Sequence, residues 1–133
     1  GSTITRKRRT GVVRGTTSKE IVKMMREFGA KEVYFVVACP PVKFPCFYGV
    51  DIPTKTELIA ARQSEEEIRQ FIGADILLYQ TIDDLVEAVT RRGEHNIDRP
   101  CLGCLDGFYI TGDIDDKKME EMEEQRNKER QNI

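Results

Sequence analysis

The sequence has 133 residues, of which 33% are charged and 39% are hydrophobic, and its formal net charge at pH 7 is −2. A chain of this length is expected to form one globular domain with a modest core. The nearly balanced charge argues against nucleic acid as a partner of the whole molecule. No apolar run approaches the roughly 20 residues of a membrane span, and no apolar stretch follows the basic start, as a secretory signal would require. We therefore expect a cytoplasmic protein with no membrane partner.

The first segment, residues 1–10, has no apolar periodicity and contains Arg6, Lys7, Arg8 and Arg9 but no acidic residue. We interpret it as a flexible basic arm. Such an arm could contact phosphate groups or nucleic acid, but a short basic segment is more often only solvated.

The next segment has the pattern of an anion-binding loop. Residues 11–17 indicate the end of a strand and a loop, and Ser18 is a suitable N-cap for a helix that runs to Phe28. A glycine allows a tight turn, and the free backbone N–H groups of the helix start point into the same space as the neighbouring hydroxyls. An ordinary turn between a strand and a helix is the simpler alternative. The candidate phosphate-binding residues are Arg14, Gly15, Thr16, Thr17 and Ser18.

Two short apolar runs, 32–38 and 75–80, are rich in β-forming residues. Each is typical of a strand that is buried on both faces of a parallel sheet. Between them, capping-box patterns begin at Thr54 and Ser64. They predict two short helices, and the second is closed by Gly73.

A further helical pattern follows the second run. Thr81 begins a helix in which Leu85, Val86 and Val89 are expected to face inward. Residues 101–111 indicate a turn that could include a short strand.

The alternation of strands and helices predicts an α/β fold with a doubly wound, mostly parallel sheet. We assign the folded domain to residues 11–112 and a charged tail to residues 113–133. The tail is helical by propensity but has almost no apolar face.

The four cysteines are Cys39, Cys46, Cys101 and Cys104. Without a secretory signal, structural disulfides are not expected, so free thiols and metal ligands are the alternatives. The Cys-x-x-Cys spacing of the last two lets two thiolates reach one metal ion. Cys39 precedes Cys46 by seven residues and could contribute to a zinc site.

The remaining conspicuous polar residues have structural explanations. His95 is the only histidine and lies in a polar loop, which is typical of a solvated side chain. The acid pair at residues 83–84 fits the first turn of a helix, where negative charge is favourable, and the pair at residues 115–116 begins the charged tail.

From Val13 onward the sequence resembles the C-terminal part of glutamine phosphoribosylpyrophosphate amidotransferases, which has a type I phosphoribosyltransferase fold. The phosphate-loop match alone is moderately specific, whereas the Cys-Phe-Tyr-Gly-Val-Asp segment and the later cysteine pair are strongly specific. The segments that carry the resemblance are 12–18, 40–51, 57–75 and 101–112.

The resemblance implies a glycosyltransferase of de novo purine synthesis. Such an enzyme releases ammonia from glutamine and transfers it to phosphoribosyl pyrophosphate, which gives 5-phosphoribosylamine. The loop at residues 14–18 would hold the phosphate of that substrate or of a nucleotide. The implied cofactors are Mg²⁺ and a [4Fe–4S] cluster with Cys46, Cys101 and Cys104 as three of its ligands. The implied assembly is a homo-oligomer.

The sequence departs from this family in several places. It has no glutaminase domain with a catalytic N-terminal cysteine. The two consecutive acids that hold the ribose hydroxyls in the family fall here on Arg9 and Thr10. The fourth cluster ligand and two further substrate loops would lie upstream. We therefore expect this chain to be part of a longer enzyme, to be inactive by itself and to hold no cofactor.

A non-catalytic role is the alternative function. In that case the chain would be a phosphate- or nucleotide-binding module, or a structural module held together by a metal. Surfaces that other parts of the family's domain normally cover would be exposed here, which favours self-association.

Overall fold

The structure, a computed structural model, describes residues 12–94 and 96–132, without the side chain of Arg92. The predicted basic arm at residues 1–10 and His95 lie outside the described residues. The elements are α1 (Thr16–Glu27), β1 (Tyr34–Val37), α2 (Ile59–Arg62), α3 (Glu65–Ile72), β2 (Ile76–Tyr79), α4 (Ile82–Thr90), a 3₁₀ turn (Arg91–Gly93), α5 (Gly103–Asp106) and α6 (Asp116–Gln131).

Strands β1 and β2 pair in parallel, as the two apolar runs predict. The register places Tyr34 opposite Ile76 and Val37 opposite Tyr79. Two neighbouring parallel strands need a crossover connection that returns the chain to the same end of the sheet. Here that connection contains α2 and α3. This arrangement confirms the predicted α/β class, with a two-stranded sheet in the described part of the chain.

The sheet is buried on one face only, so the prediction that both faces are buried was wrong. Leu77 is 8% exposed, whereas its neighbour Leu78 is 56% exposed. In β1, Val37 is buried and Val36 is exposed. The helices that pack near the sheet cover one side of it. An apolar strand sequence does not reveal this, because the covering layer comes from other elements.

The core lies between that covered face and the helices. Val22 of α1, Ile68 and Ile72 of α3 and Leu77 of β2 belong to one buried cluster. Helix α3 is held at both ends as predicted: Ser64 forms a complete capping box with Glu67, and Gly73 ends the helix in the left-handed conformation. The two ends fix where α3 begins and ends, and its buried residues Ile68 and Ile72 pack it in the core.

The other elements confirm some predictions and correct others. Thr81 caps α4 as predicted, but Val89 is 40% exposed and does not face inward. Residues 101–111, all of them described, contain the single turn α5 and no strand.

Residues 116–131 form the predicted charged helix, and none of its residues is buried. No helix in the described part of the chain combines the length and apolar character that a membrane crossing needs.

Leu77 and Leu78 offer a direct test of the one-sided core. Leu77→Ala should lower the free energy of unfolding by about 2–5 kcal/mol, because it leaves a cavity in the core. At concentrations where the chain is monomeric, Leu78→Ala should cost less than about 1 kcal/mol, because its side chain is then mostly in water. Urea denaturation of both variants measures the difference. Equal losses would show that the outer face is covered in solution.

Candidate functional site

Gly15 determines the shape of the predicted phosphate loop. Its φ is 83°, in the left-handed region that glycine adopts without strain. A Cβ on Gly15 would lie 2.8 Å from Cδ1 of Ile59 and 3.0 Å from Cε1 of Phe71. The loop backbone therefore lies directly on α2 and α3. A hydrogen bond of 3.1 Å from the Ile59 N–H to the Val13 carbonyl fixes the same approach.

The helix after the loop begins at Thr16, and its N-cap is Gly15 rather than the predicted Ser18. Ser18 lies inside the first turn and is 1% exposed, since the left-handed Gly15 turns the chain into the helix earlier than the hydroxyl pattern indicated. The first helical hydrogen bond runs from the Lys19 N–H to the Gly15 carbonyl, at 2.9 Å. No side chain caps this helix start. The amides of the first turn precede that bond and are oriented as an anion site requires.

Arg14 places a positive charge beside this helix start. Its guanidinium lies 3.3 Å from Oε1 of Glu57, and its side chain is 52% exposed. Oε2 of Glu57 accepts hydrogen bonds of 3.1 Å from both the N–H and the hydroxyl of Thr54, and one of 2.8 Å from Arg130. Partial burial alone would raise the pKa of Glu57, but the bonds from Thr54 and Arg130 and the charge of Arg14 hold it below its usual value. Glu57 is therefore ionised at neutral pH.

The same contacts correct the helix prediction at Thr54. Glu57 does reach back to the Thr54 N–H, as a capping box predicts, but the Thr54 hydroxyl donates to the carboxylate instead of capping the helix. Helix α2 begins only at Ile59. Glu57 thus connects the phosphate loop to α6.

Helix α6 contacts the cysteine-containing loop as well. The guanidinium of Arg126 donates a 2.9 Å hydrogen bond to the carbonyl of Cys46 and lies 5.9 Å from the Phe47 ring. The Lys55 N–H donates a 2.7 Å hydrogen bond to Glu123. Sequence analysis missed these residues because a helix without an apolar face gives no periodic signal for packing.

The predicted metal ligands come from two segments that the structure brings together. The N–H groups of Lys43 and Phe44 both donate to the carbonyl of Cys104 at 3.0 Å. The Tyr109 hydroxyl donates a buried 2.8 Å hydrogen bond to the carbonyl of Pro45. The loop that contains Cys46 is therefore fixed against α5 and the turn after it.

The thiols themselves do not form a metal site as they lie. All four cysteines are free, and Cys101 is exposed. Burial raises the pKa of Cys104, and the neighbouring thiols of Cys46, Cys39 and Cys101 raise it further. Burial also raises the pKa of Cys39. Among the described residues, no group of three or more His, Cys, Asp or Glu side chains is arranged to hold a metal ion, so the zinc alternative finds no support.

Curated relatives of this sequence are named amidophosphoribosyltransferase. The one from Pseudomonas aeruginosa is 46% identical over 116 residues, which are 87% of this chain and 23% of that protein. The one from Bacillus subtilis is 47% identical over 100 residues, which are 75% of this chain and 21% of that protein. The chain belongs to the amidophosphoribosyltransferase family. It spans less than a quarter of the length of these relatives. No family model matches the sequence.

Two solved structures that resemble this chain point to the same family. A glutamine phosphoribosylpyrophosphate amidotransferase from Bacillus subtilis, complexed with ADP and GMP, matches with a TM-score of 0.66 and 47% identity over 74% of this chain and 22% of that chain. A structure described as the allosteric regulatory enzyme of purine biosynthesis matches with a TM-score of 0.70 and 42% identity over 84% of this chain and 24% of that chain. The predicted partial type I phosphoribosyltransferase fold is thereby confirmed.

The close approach at Gly15 can be tested against a second left-handed glycine. Gly15→Ala adds a methyl group that overlaps Ile59 and Phe71, whereas Gly29 has a φ of 93° and no neighbouring atom within 4 Å of its Cβ position. Gly29→Ala therefore reports backbone strain alone. We expect Gly15→Ala to cost about 1–3 kcal/mol more than Gly29→Ala in urea denaturation. Equal losses would contradict the packing of the loop on α2 and α3.

Proposed function

We propose that this chain is the phosphate-binding part of an amidophosphoribosyltransferase. The whole enzyme would transfer ammonia from glutamine to phosphoribosyl pyrophosphate, release pyrophosphate and form 5-phosphoribosylamine, a glycosyltransferase reaction. The observation that carries the proposal is the uncapped start of α1 behind a left-handed Gly15, with Arg14 beside it. A phosphate monoester of the substrate, or of a nucleotide, would occupy this place.

The chemistry of the loop supports this role. Backbone N–H groups of the first turn of α1 can donate charge-assisted hydrogen bonds to a phosphate dianion. The positive end of the α1 dipole favours the same charge. The side chain of Arg14 is half-exposed and can approach an anion above the loop. The hydroxyls of Thr16 and Thr17 are exposed at the same turn and can donate as well.

The chain by itself is proposed to bind phosphate weakly and without catalysis. The family's ribose-binding acids correspond here to Arg9 and Thr10, and neither residue carries a carboxylate. The sugar would therefore lack the two carboxylates that hold its hydroxyl groups in the family. This departure favours the non-catalytic phosphate-binding module as the second candidate function for the chain as it stands.

The cofactors stay proposals for the longer enzyme. Mg²⁺ prefers oxygen ligands, and we assign no residue of this chain to it. For a [4Fe–4S] cluster the chain offers Cys46, Cys101 and Cys104, but these thiols are not arranged as a metal site in the described residues. The proposed phosphate binding needs neither cofactor, and both belong to the proposal for the longer enzyme.

The remaining parts of the proposal concern assembly and location. We propose a homo-oligomer located in the cytoplasm. The support for self-association is the exposed apolar face of the sheet, where more than half of the side-chain surface of Val36 and Leu78 is accessible. Apolar patches of this kind favour association.

Phosphate binding can be measured residue by residue. Titration with inorganic phosphate, or with ribose 5-phosphate, should shift the amide NMR signals of Gly15, Thr16 and Thr17. The amides of α3 serve as an internal control, because the side chain of Ser64 already caps that helix. Chloride at equal ionic strength should give no such shifts. Unchanged loop amides up to high millimolar phosphate would contradict the proposal.

The proposed lack of activity has a simple assay. The chain is incubated with phosphoribosyl pyrophosphate, ammonia and magnesium, and the release of pyrophosphate is followed. We expect no release above the blank, because the ribose-binding acids are absent at residues 9–10. Release well above the blank would show that the remaining residues suffice for catalysis.

A further inference from the structure

Glu57 is shared between two cations that belong to different parts of the molecule. Oε1 lies 3.3 Å from Nη2 of Arg14, in the phosphate loop. Oε2 lies 2.8 Å from Nη1 of Arg130, in the last turn of α6. Thr54 holds the carboxylate in place with two hydrogen bonds of 3.1 Å. Because Thr54 is buried, these two bonds anchor the carboxylate between the two arginines.

This sharing affects the charge available to an anion. Arg14 next to a carboxylate is partly neutralised, and an incoming phosphate competes with Glu57 for the same guanidinium. A second cation on the carboxylate weakens its hold on the first. Arg130 also lies 3.7 Å from Asp51. Its position therefore depends on how α6 lies against residues 51–57.

We propose that Glu57 is a positioning residue that restrains Arg14, and that Arg130 of α6 sets the strength of that restraint. The inference rests on the proposed phosphate binding by residues 14–18. It adds a regulatory contact between α6 and the phosphate loop. If α6 moved away, Glu57 would pair with Arg14 only, would hold it more strongly, and phosphate binding would weaken. Arg126 of the same helix contacts the Cys46 carbonyl, so movement of the cysteine loop would be transmitted by the same route.

Single substitutions test each half of the proposal by phosphate titration followed by amide NMR. Glu57→Gln keeps an oxygen for Thr54 but removes the charge, and it should tighten phosphate binding about two- to fivefold, the range of an exposed ion pair. Glu20→Gln, on the exposed side of α1, is the matched loss of an acid and should have a smaller effect. Arg130→Met should weaken phosphate binding by a similar factor. The matched loss of a cation, Lys128→Met, should weaken it less. Arg130→Lys keeps the charge and should bind phosphate about as well as the unsubstituted chain.

The double variant separates a specific contact from a general change in charge. In the Glu57→Gln background, Arg130→Met should do no more than Lys128→Met, because its partner is gone. If Arg130→Met weakens binding equally with and without Glu57, or if Glu57→Gln weakens binding, the inference is overturned while the proposed function stands. If the unsubstituted chain shows no loop shifts with phosphate, the proposed function fails and this inference fails with it.

Discussion

The contact between the Gly15 backbone and α2 and α3 is the constraint on which the site depends. A side chain at this position would overlap Ile59 and Phe71, so the loop can approach the helices only with glycine. The left-handed φ of Gly15 then directs the chain into α1. Helix α1 places Val22 in the same cluster as Ile68 of α3. The geometry of the loop and the packing of the core are consequently one feature: Gly15 and Ser18 are buried, whereas Arg14, Thr16 and Thr17 are exposed.

Helices and strands could be predicted where their signal lies within neighbouring residues of the sequence. The contacts that each element makes with distant parts of the chain could not. The Ser64 box and the Gly73 end of α3 involve neighbours in sequence, so the pattern sufficed. At Ser18 the pattern failed, because the start of α1 depends on the close approach of Gly15 to residues more than 40 positions away. The same limit explains Leu78: whether an apolar strand face is covered depends on elements that the strand sequence does not contain.

Helix α6 shows a second limit of sequence patterns. Its contacts with the rest of the chain use Glu123, Arg126 and Arg130, and their partners include two backbone groups and the shared Glu57. The exposed ion pair with Glu57 contributes about 0–1 kcal/mol and weakens in salt, whereas a hydrogen bond between a charged side chain and a backbone group contributes about 1.5–3 kcal/mol. The helix is therefore attached by a few polar contacts rather than by burial. An attachment of this strength can be shifted by a ligand, whereas a helix packed into the core cannot.

The two candidate sites differ in how completely this chain forms them. The described contacts that shape the backbone of the phosphate loop come from residues 12–71, and the amides it presents are backbone groups that any sequence with this geometry would supply. A site made by Cys46, Cys101 and Cys104 needs these side chains at particular distances from one another. The loop that contains Cys46 is fixed against α5, but the described thiols are not arranged as a metal site. Backbone recognition of a phosphate needs the loop, α1 and the two helices on which the loop packs, and this chain contains all of them. A cluster needs thiolates from separate segments, each placed at its own iron, so its site depends on more of the protein than one loop.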